Sequence, residues 1–266
     1  MNSSDIKRAF EDSQFAARNV GAFLKKQLHL RKDINHQSAH DIKLELDNLS
    51  QRRIERALRR RFPDIGILGE EGVVGDPCSE WRWVVDPIDG TVNYSRGLPH
   101  ASISIALQKR RQQSNGHWDD YDTHLGVVYD PFLNEMWTAR KGRKARLNGR
   151  PIHVSDTRTL EHSVVSIGFA KTRANLKRNL PAFARLYQRV LKVRLLGSAA
   201  LALTWTAAGR LDAYRENGIH LWDIAAGGLI LQCAGGEFWR QPLRRKYTYE
   251  LIATNGLLRK KVEGLL

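Results

Sequence analysis

Cysteine is almost missing from this chain, and what there is cannot build a site. Cys78 and Cys233 stand far apart with no CxxC spacing, which excludes a disulfide scaffold and a thiolate metal centre and leaves reduced thiols as the expected state. No apolar run is long enough to cross a bilayer, and Met1-Asn2-Ser3-Ser4-Asp5 lacks the apolar core of a secretion signal, so a cytoplasmic protein is expected. Internal repeats and low-complexity linkers are missing too. Acidic residues are in deficit: 28 against 43 basic ones leave a net charge of +15, a balance that attracts polyanions. The surplus gathers in runs such as Arg59-Arg60-Arg61, Lys109-Arg110-Arg111, Lys141 to Arg146, Arg244-Arg245-Lys246 and Arg259-Lys260-Lys261. No aromatic interleaving or RNA-binding motif accompanies these runs in the sequence. They read chiefly as solvated faces, with a nucleic-acid surface as the lesser reading.

What is there suffices for a core. With 42% hydrophobic residues over 266 positions, the chain is expected to form one domain over 1–266, with approximate halves 1–150 on the metal-site side and 151–266 on the substrate side. Trp81-Arg82-Trp83-Val84-Val85-Asp86-Pro87-Ile88-Asp89-Gly90-Thr91 is the organising stretch. Its β-branched pair reads as a short buried strand that Pro87 ends, since proline donates nothing to a ladder. Asp86 and Asp89 then offer carboxylates to a hard cation. Gly90 lets the backbone approach a ligand, and Thr91 opens a helix whose free N–H groups suit a phosphate.

Asp-Pro-x-Asp-Gly alone is equally a turn. The other acids decide it: Glu70 and Glu71 end the apolar run from Ile65 to Leu68, and Asp223 stands where an Ala- and Gly-rich helix begins.

Gly69-Glu70-Glu71, Trp83 to Thr91 and Trp222-Asp223-Ile224-Ala225-Ala226-Gly227 resemble the three metal-site motifs of the inositol monophosphatase family, in the family's order. The similarity extends through Gly126 to Pro131, Leu147 to Ile152, Gly197-Ser198-Ala199-Ala200 and Ala234-Gly235-Gly236, and so covers most of the chain. It implies an αβαβα sandwich and a Mg²⁺-dependent phosphatase for myo-inositol 1-phosphate or a similar polyol or sugar phosphate. Two ions are implied, with a third, weaker one near the flap loop. By the resemblance Glu70, Asp86 and the Ile88 carbonyl hold the first ion, and Asp86, Asp89 and Asp223 the second. Glu70 and Thr91 position the attacking water, and Asp47 hydrogen-bonds Thr91 behind them. Asp89, the N–H groups of Gly90 and Thr91, Ser198, Ala199 and Glu216 meet the substrate. Dimers are common in the family.

The flap departs from the family pattern. Asp41 and Asp47 are present, but the lysine position holds His36, the threonine position Leu44, and Lys43 replaces an apolar residue. Val92-Asn93-Tyr94 resembles the inositol branch rather than the nucleotide bisphosphatase branch, although fructose-1,6-bisphosphate, histidinol phosphate and NADP are also substrates in the wider superfamily. Some bacterial homologues join the transcription antitermination machinery. A weakly catalytic, RNA- or machinery-binding protein is therefore the alternative.

Periodicity predicts a helix from Ile6 to Leu28, a polar loop over Arg31 to His40, and a helix capped by Asp47 through about Arg61. Strands follow at Ala101 to Leu107 and His124 to Tyr129, with Lys109 to Asp122 as an exposed hairpin tip whose Trp118, Asp119, Asp120 and Asp122 read as surface. Strand and helix then alternate: strands at Val164 to Gly168, Val193 to Leu196, Asp212 to Arg215, Gly236 to Trp239 and Leu251 to Ala253, with helices around Leu176 to Leu191, Ser198 to Ala208 and Ile224 to Ala234. Pro181 is read as a first-turn residue of its helix, and His220 as packing beside Trp222.

Overall fold

A computed structural model describes residues 1–30, 34–37, 42–112, 118–169 and 173–265. Helix α1 (Ser3–Gln27) starts at a reciprocal cap, with Asp5 N donating to Asn2 Oδ1 at 2.9 Å and Asn2 N to Asp5 Oδ2 at 3.0 Å. Gly21 in its middle lies under Tyr129: a Cβ there would stand 2.5 Å from the ring. Strands β1 (Ile34–Gln37) and β2 (Ile42–Leu44) pair antiparallel, so part of the segment expected to be a loop is a hairpin arm. Asp41 and the side chains of His36 and Leu44 lie outside the described residues. Helix α2 (Glu45–Arg59) begins three residues earlier than expected, so Asp47 is in its first turn rather than at its cap, still at the positive end of the helix dipole.

The first sheet is built from β3 (Gly66–Gly69), β4 (Gly72–Val74), β5 (Trp81–Asp89), β6 (Ser102–Arg110), β7 (Tyr121–Asp130), β8 (Glu135–Arg140), β9 (Arg146–Leu147) and β10 (Arg150–Pro151), with helix α3 (Thr91–Ser95) after β5. Its order is β10-β9-β8-β7-β6-β5-β3-β4. Strand β5 does not stop at Pro87. Its register against β6 slips between Asp86 and Asp89, and this bulge takes the proline out of the ladder, so no hydrogen bond is lost.

The second sheet has β11 (Val164–Phe169), β12 (Lys192–Arg194), β13 (Ala213–His220), β14 (Glu237–Pro242) and β15 (Thr248–Thr254) in the order β12-β11-β13-β15-β14. Helices α4 (Arg173–Tyr187), α5 (Ala199–Ala207), α6 (Leu221–Cys233) and α7 (Arg259–Glu263) connect and cover it. Pro181 lies inside α4, not in its first turn, and α7 falls where the sequence showed only a basic run. Strand β13 is longer than expected: it bulges between Asn217 and Ile219, where Gly218 has φ 90°, and runs straight into α6.

Alternation along β5 sets the layers. Trp83 and Val85 pack with α1 and α2, whereas Val84 packs with α5 and α6. Those two helices also pack on Tyr214, Tyr249 and Leu251 of the second sheet, whose other face carries Val165, Ala213 and Ile252 against α4 and α7. The result is the expected αβαβα sandwich. Because α5 and α6 are buried on both sides, they are apolar all round, and their N-termini emerge together beside the end of β5. Among the described residues no helix is long and apolar enough to cross a membrane.

Candidate active site

The β5 bulge turns two carboxylates toward the same space. Asp86 and Asp89, both buried, and the partly open Asp223 offer oxygens that all lie within 4.8 Å of one another. Each is oriented by backbone. Asp86 Oδ1 accepts from Ile88 N at 3.0 Å, and Asp223 Oδ2 accepts from His220 N at 2.9 Å at the start of α6.

Asp89 has the most partners. Its oxygens accept from Ala199 N at 3.1 Å, Ala200 N at 2.8 Å, the Ser198 hydroxyl and, at 3.4 Å, Ser102 Oγ. A carboxylate of the first sheet thus sits on the first turn of α5. Glu70, held by its N–H on the Val85 carbonyl at 3.1 Å, brings a fourth negative charge beside Asp86 and Asp223.

Crowding perturbs all of them. Burial, then the charges of Glu70, Asp89 and Asp223, hold the Asp86 carboxyl well above the usual carboxylate range. Asp223 is raised well above it by burial and by Glu70 and Asp89, and Asp89 is raised by burial against the pull of its α5 hydrogen bonds. Carboxylates this close and this dry repel one another unless a cation sits among them. An all-oxygen donor set of this kind fits a hard divalent ion, so the cluster can bind metal.

The acids open onto a cleft of about 520 Å³ between the two sheets. On one side Gly90, at φ 100°, precedes α3; a Cβ there would press on the His100 carbonyl at 3.0 Å and the Gly197 carbonyl at 3.3 Å. Thr91 Oγ1 donates to the Ile88 carbonyl at 2.9 Å. Asp47 is buried on α2 beside Tyr94, whose phenol is held above its ordinary range by burial and by that charge.

On the other side Glu216 reaches in from β13. Its carboxylate accepts the Tyr214 hydroxyl, and it lies flat against Gly168, where a Cβ would be only 1.7 Å from its Oε2. Burial, opposed by the Tyr214 hydrogen bond, lifts its pKa to about 7. Ser198 and Ala199 line the same cleft. His220 stacks on Trp222 with ring centroids 4.8 Å apart, a packing role as expected.

The described residues given a site role from sequence, except Asp47, therefore line one cleft; Glu71, the neighbour of Glu70, does not. Sequence reasoning missed Tyr214, Gly168, Ala200 and Asn93. Tyr214 was within reach, because it stands two residues before Glu216 and so shares its face of the strand. Asn93 was not: its Nδ2 donates to the His100 carbonyl at 3.0 Å and the Leu196 carbonyl at 2.8 Å, bracing the turn before α5 from a distant part of the chain.

Comparison with known proteins bears on this geometry. Residues 8–255 match the model of the inositol monophosphatase family. A protein of Pasteurella multocida described as Nus factor SuhB is 38% identical over 83% of this chain and 80% of its own length. An inositol-1-monophosphatase of Synechocystis is 38% identical over 86% of this chain and 77% of its own. Among solved structures, the extragenic suppressor protein SuhB of Bartonella henselae superposes with a TM-score of 0.85 at 30% identity, covering 96% of both chains.

Proposed function

The chain belongs to the inositol monophosphatase family, and from that premise we propose that it hydrolyses myo-inositol 1-phosphate or a closely similar polyol monophosphate with the help of Mg²⁺. The observation that carries this is the triad Asp86, Asp89 and Asp223, gathered within 4.8 Å of one another with Glu70 beside it. Glu70, Asp86 and the Ile88 carbonyl are assigned to one ion, Asp86, Asp89 and Asp223 to a second, with a third left to the flap. Bound there, Mg²⁺ supplies an acidified water and neutralises charge on the phosphoryl group and the leaving oxygen.

The chain's own residues do the rest. Because its proton is given to Ile88, Thr91 Oγ1 presents lone pairs and can accept a hydrogen bond from the attacking water. Glu70, at the cluster's edge, is the base that takes that water's proton. The Ile88 carbonyl orients Thr91 from one side, and Asp47 is assigned to orient it from behind. Backbone N–H groups of Gly90 and Thr91 receive the phosphate. Glu216, fixed by Tyr214, accepts a hydrogen bond from a substrate hydroxyl, and the Ser198–Ala199 turn closes the polyol side.

Phosphate release is the test, measured over a panel of inositol, sugar, histidinol, fructose-1,6-bisphosphate and dinucleotide phosphates with Mg²⁺ and with chelator. Mg²⁺-dependent release that is fastest from inositol 1-phosphate supports the reading; release unaffected by chelator removes it.

A second reading is contact with the transcription machinery, favoured by the description of relatives as Nus factors and by the +15 charge. Co-elution of the purified chain with Nus proteins or RNA polymerase checks it. A cytoplasmic setting, which accords with the free thiols of Cys78 and Cys233, and a homodimer, which sedimentation would detect, complete the proposal.

A further inference from the structure

Away from the acids, the first sheet and α6 carry a groove that the phosphatase reading leaves unused. Two recesses, of about 570 and 290 Å³, share Asp122, Thr123, Leu229 and Gln232 and so run into one another. Lys141, Arg143 and Lys144 line the first, and Arg111 and Arg240 the second. Lys141 is paired with Asp122 at 2.8 Å, Arg240 with Asp119 at 2.8 Å and Arg111 with Asp120 at 3.6 Å. Arg143 and Lys144 make no ion pair among the described residues.

Arg240 stands on β14, and the turn that follows that strand carries Arg244, Arg245 and Lys246, all exposed. The fold supplies here what the linear sequence lacked. Trp118 leaves the hairpin between β6 and β7 and meets Tyr247 and Tyr249 edge-on, with centroids 5.2 and 5.6 Å apart. Asp119, read from sequence as surface charge, takes the Tyr249 hydroxyl and the Arg240 guanidinium. Lys246 Nζ stands 4.9 Å from the Tyr247 ring. Arg240, whose guanidinium lies 4.4 Å from the centre of the Tyr249 ring, and the Arg244 to Lys246 run thus meet at a corner formed by half-buried Trp118 and Tyr247 over buried Tyr249.

We propose that this groove binds single-stranded nucleic acid, with the phosphates following the cations from Arg143 and Lys144 toward Arg244 and Arg245, and a base stacking at the Trp118–Tyr247 corner. Cations at the two ends of a groove, with aromatic faces beside one of them, are the chemistry of single-strand binding, because every base offers a π-face and a duplex hides it. An acidic peptide would satisfy the cations but would leave the rings without a partner. The inference does not depend on catalysis, since it uses none of the cleft residues.

The test is fluorescence anisotropy of the full chain with labelled uridine and thymidine oligomers of about 12 nucleotides. Affinity is expected to fall between about 50 and 200 mM salt. The double variant Arg143→Ala, Lys144→Ala should bind about tenfold more weakly, and its salt slope should be shallower by about 1.4, or 0.7 per phosphate contact removed. Arg244→Ala with Arg245→Ala, both exposed, should behave alike. Tyr247→Ala should weaken binding severalfold at an unchanged slope, while Tyr247→Phe retains it. Phosphate release and melting temperature should be unchanged in the arginine and lysine variants. Binding of either oligomer with this salt dependence supports the inference. Equal affinity of wild type and both double variants would overturn it, as would polyphosphate or polyglutamate competing as well as an oligonucleotide of equal charge. Should Tyr247→Ala not fold, the exposed cations decide.

Discussion

The two ends of β5 solve opposite charge problems in opposite ways. At its C-terminal end, acids of one sign crowd a dry space and open onto a cleft. About 13 Å away along the strand, Arg82 is fully buried and makes no ion pair among the described residues. Its guanidinium donates to Gln108 Oε1 at 3.0 Å and the Pro77 carbonyl at 3.4 Å, and lies 3.6 Å from the centre of the Tyr121 ring. Burial lowers its pKa, with the tyrosines Tyr121, Tyr247 and Tyr249 opposing. Both sites hold charge without a counter-charge. The difference is access: the acids face a space that an ion can enter, whereas the guanidinium is closed in by rings and carbonyls that already serve it. An unbalanced charge beside a cleft marks a ligand site, and one sealed by π-faces marks a structural staple.

Substitution at the acid end gives the largest effect. Asp89→Asn should lower phosphate release by on the order of a thousandfold or more; its remaining oxygen can keep the Ala200 N–H and the Ser198 hydroxyl, while its amide NH₂ gives up the Ala199 N–H, so a melting curve accompanies the assay. Near-normal turnover in a folded Asp89→Asn protein would sink the metal assignment.

At the other end the expectation reverses. Arg82→Ala should cost about 4 kcal/mol of stability by leaving a hole and stranding Gln108. Arg82→Met, which fills the space without a charge, should cost far less or nothing. Neither should change the KM of a fully folded protein. Urea titration separates the two variants, and an Arg82→Met as unstable as Arg82→Ala would mean that the charge itself is required there.

How much of this was legible in the sequence follows the same division. The acid end was readable because its logic is local: Asp86, Ile88, Asp89, Gly90 and Thr91 are neighbours, and Glu70 and Asp223 each sit at an element's end. The layered fold was readable from alternation such as Trp83, Val84 and Val85. Contacts across the chain were not. Nothing near Asp89 announces that Ser198, Ala199 and Ala200 will hold it, and nothing near Gly168 says that Glu216 will rest on it. The basic runs read as solvated because Trp118 and Tyr121 lie far in sequence from Tyr247 and Tyr249 until β7 and β15 are assembled. Pro87 misled for a related reason: a ladder rule holds for regular pairing, and the bulge that exempts the proline is the feature that aims the two aspartates.

The smallest effect tests whether the comparison extends to Glu216, which is half-open to the cleft like the acids but served by Tyr214 as Arg82 is served by its rings. Its carboxyl is lifted from 4.5 to about 7, chiefly by burial. A carboxyl whose folded pKa is raised contributes stability that is fully present below its unfolded pKa and lost as pH rises through the folded one. In chelator, wild type should therefore lose stability relative to Glu216→Gln between about pH 4.5 and 7, by at most about 3 kcal/mol. All other titrating groups are common to both proteins, so the difference between their urea midpoints isolates this one. A gap that stays constant over that window would mean Tyr214 already balances the charge, and Glu216 would then belong with Arg82 as a structural group. A gap that widens with pH and closes when a polyol is added would place it with the acids, as a carboxylate held ready for a hydroxyl.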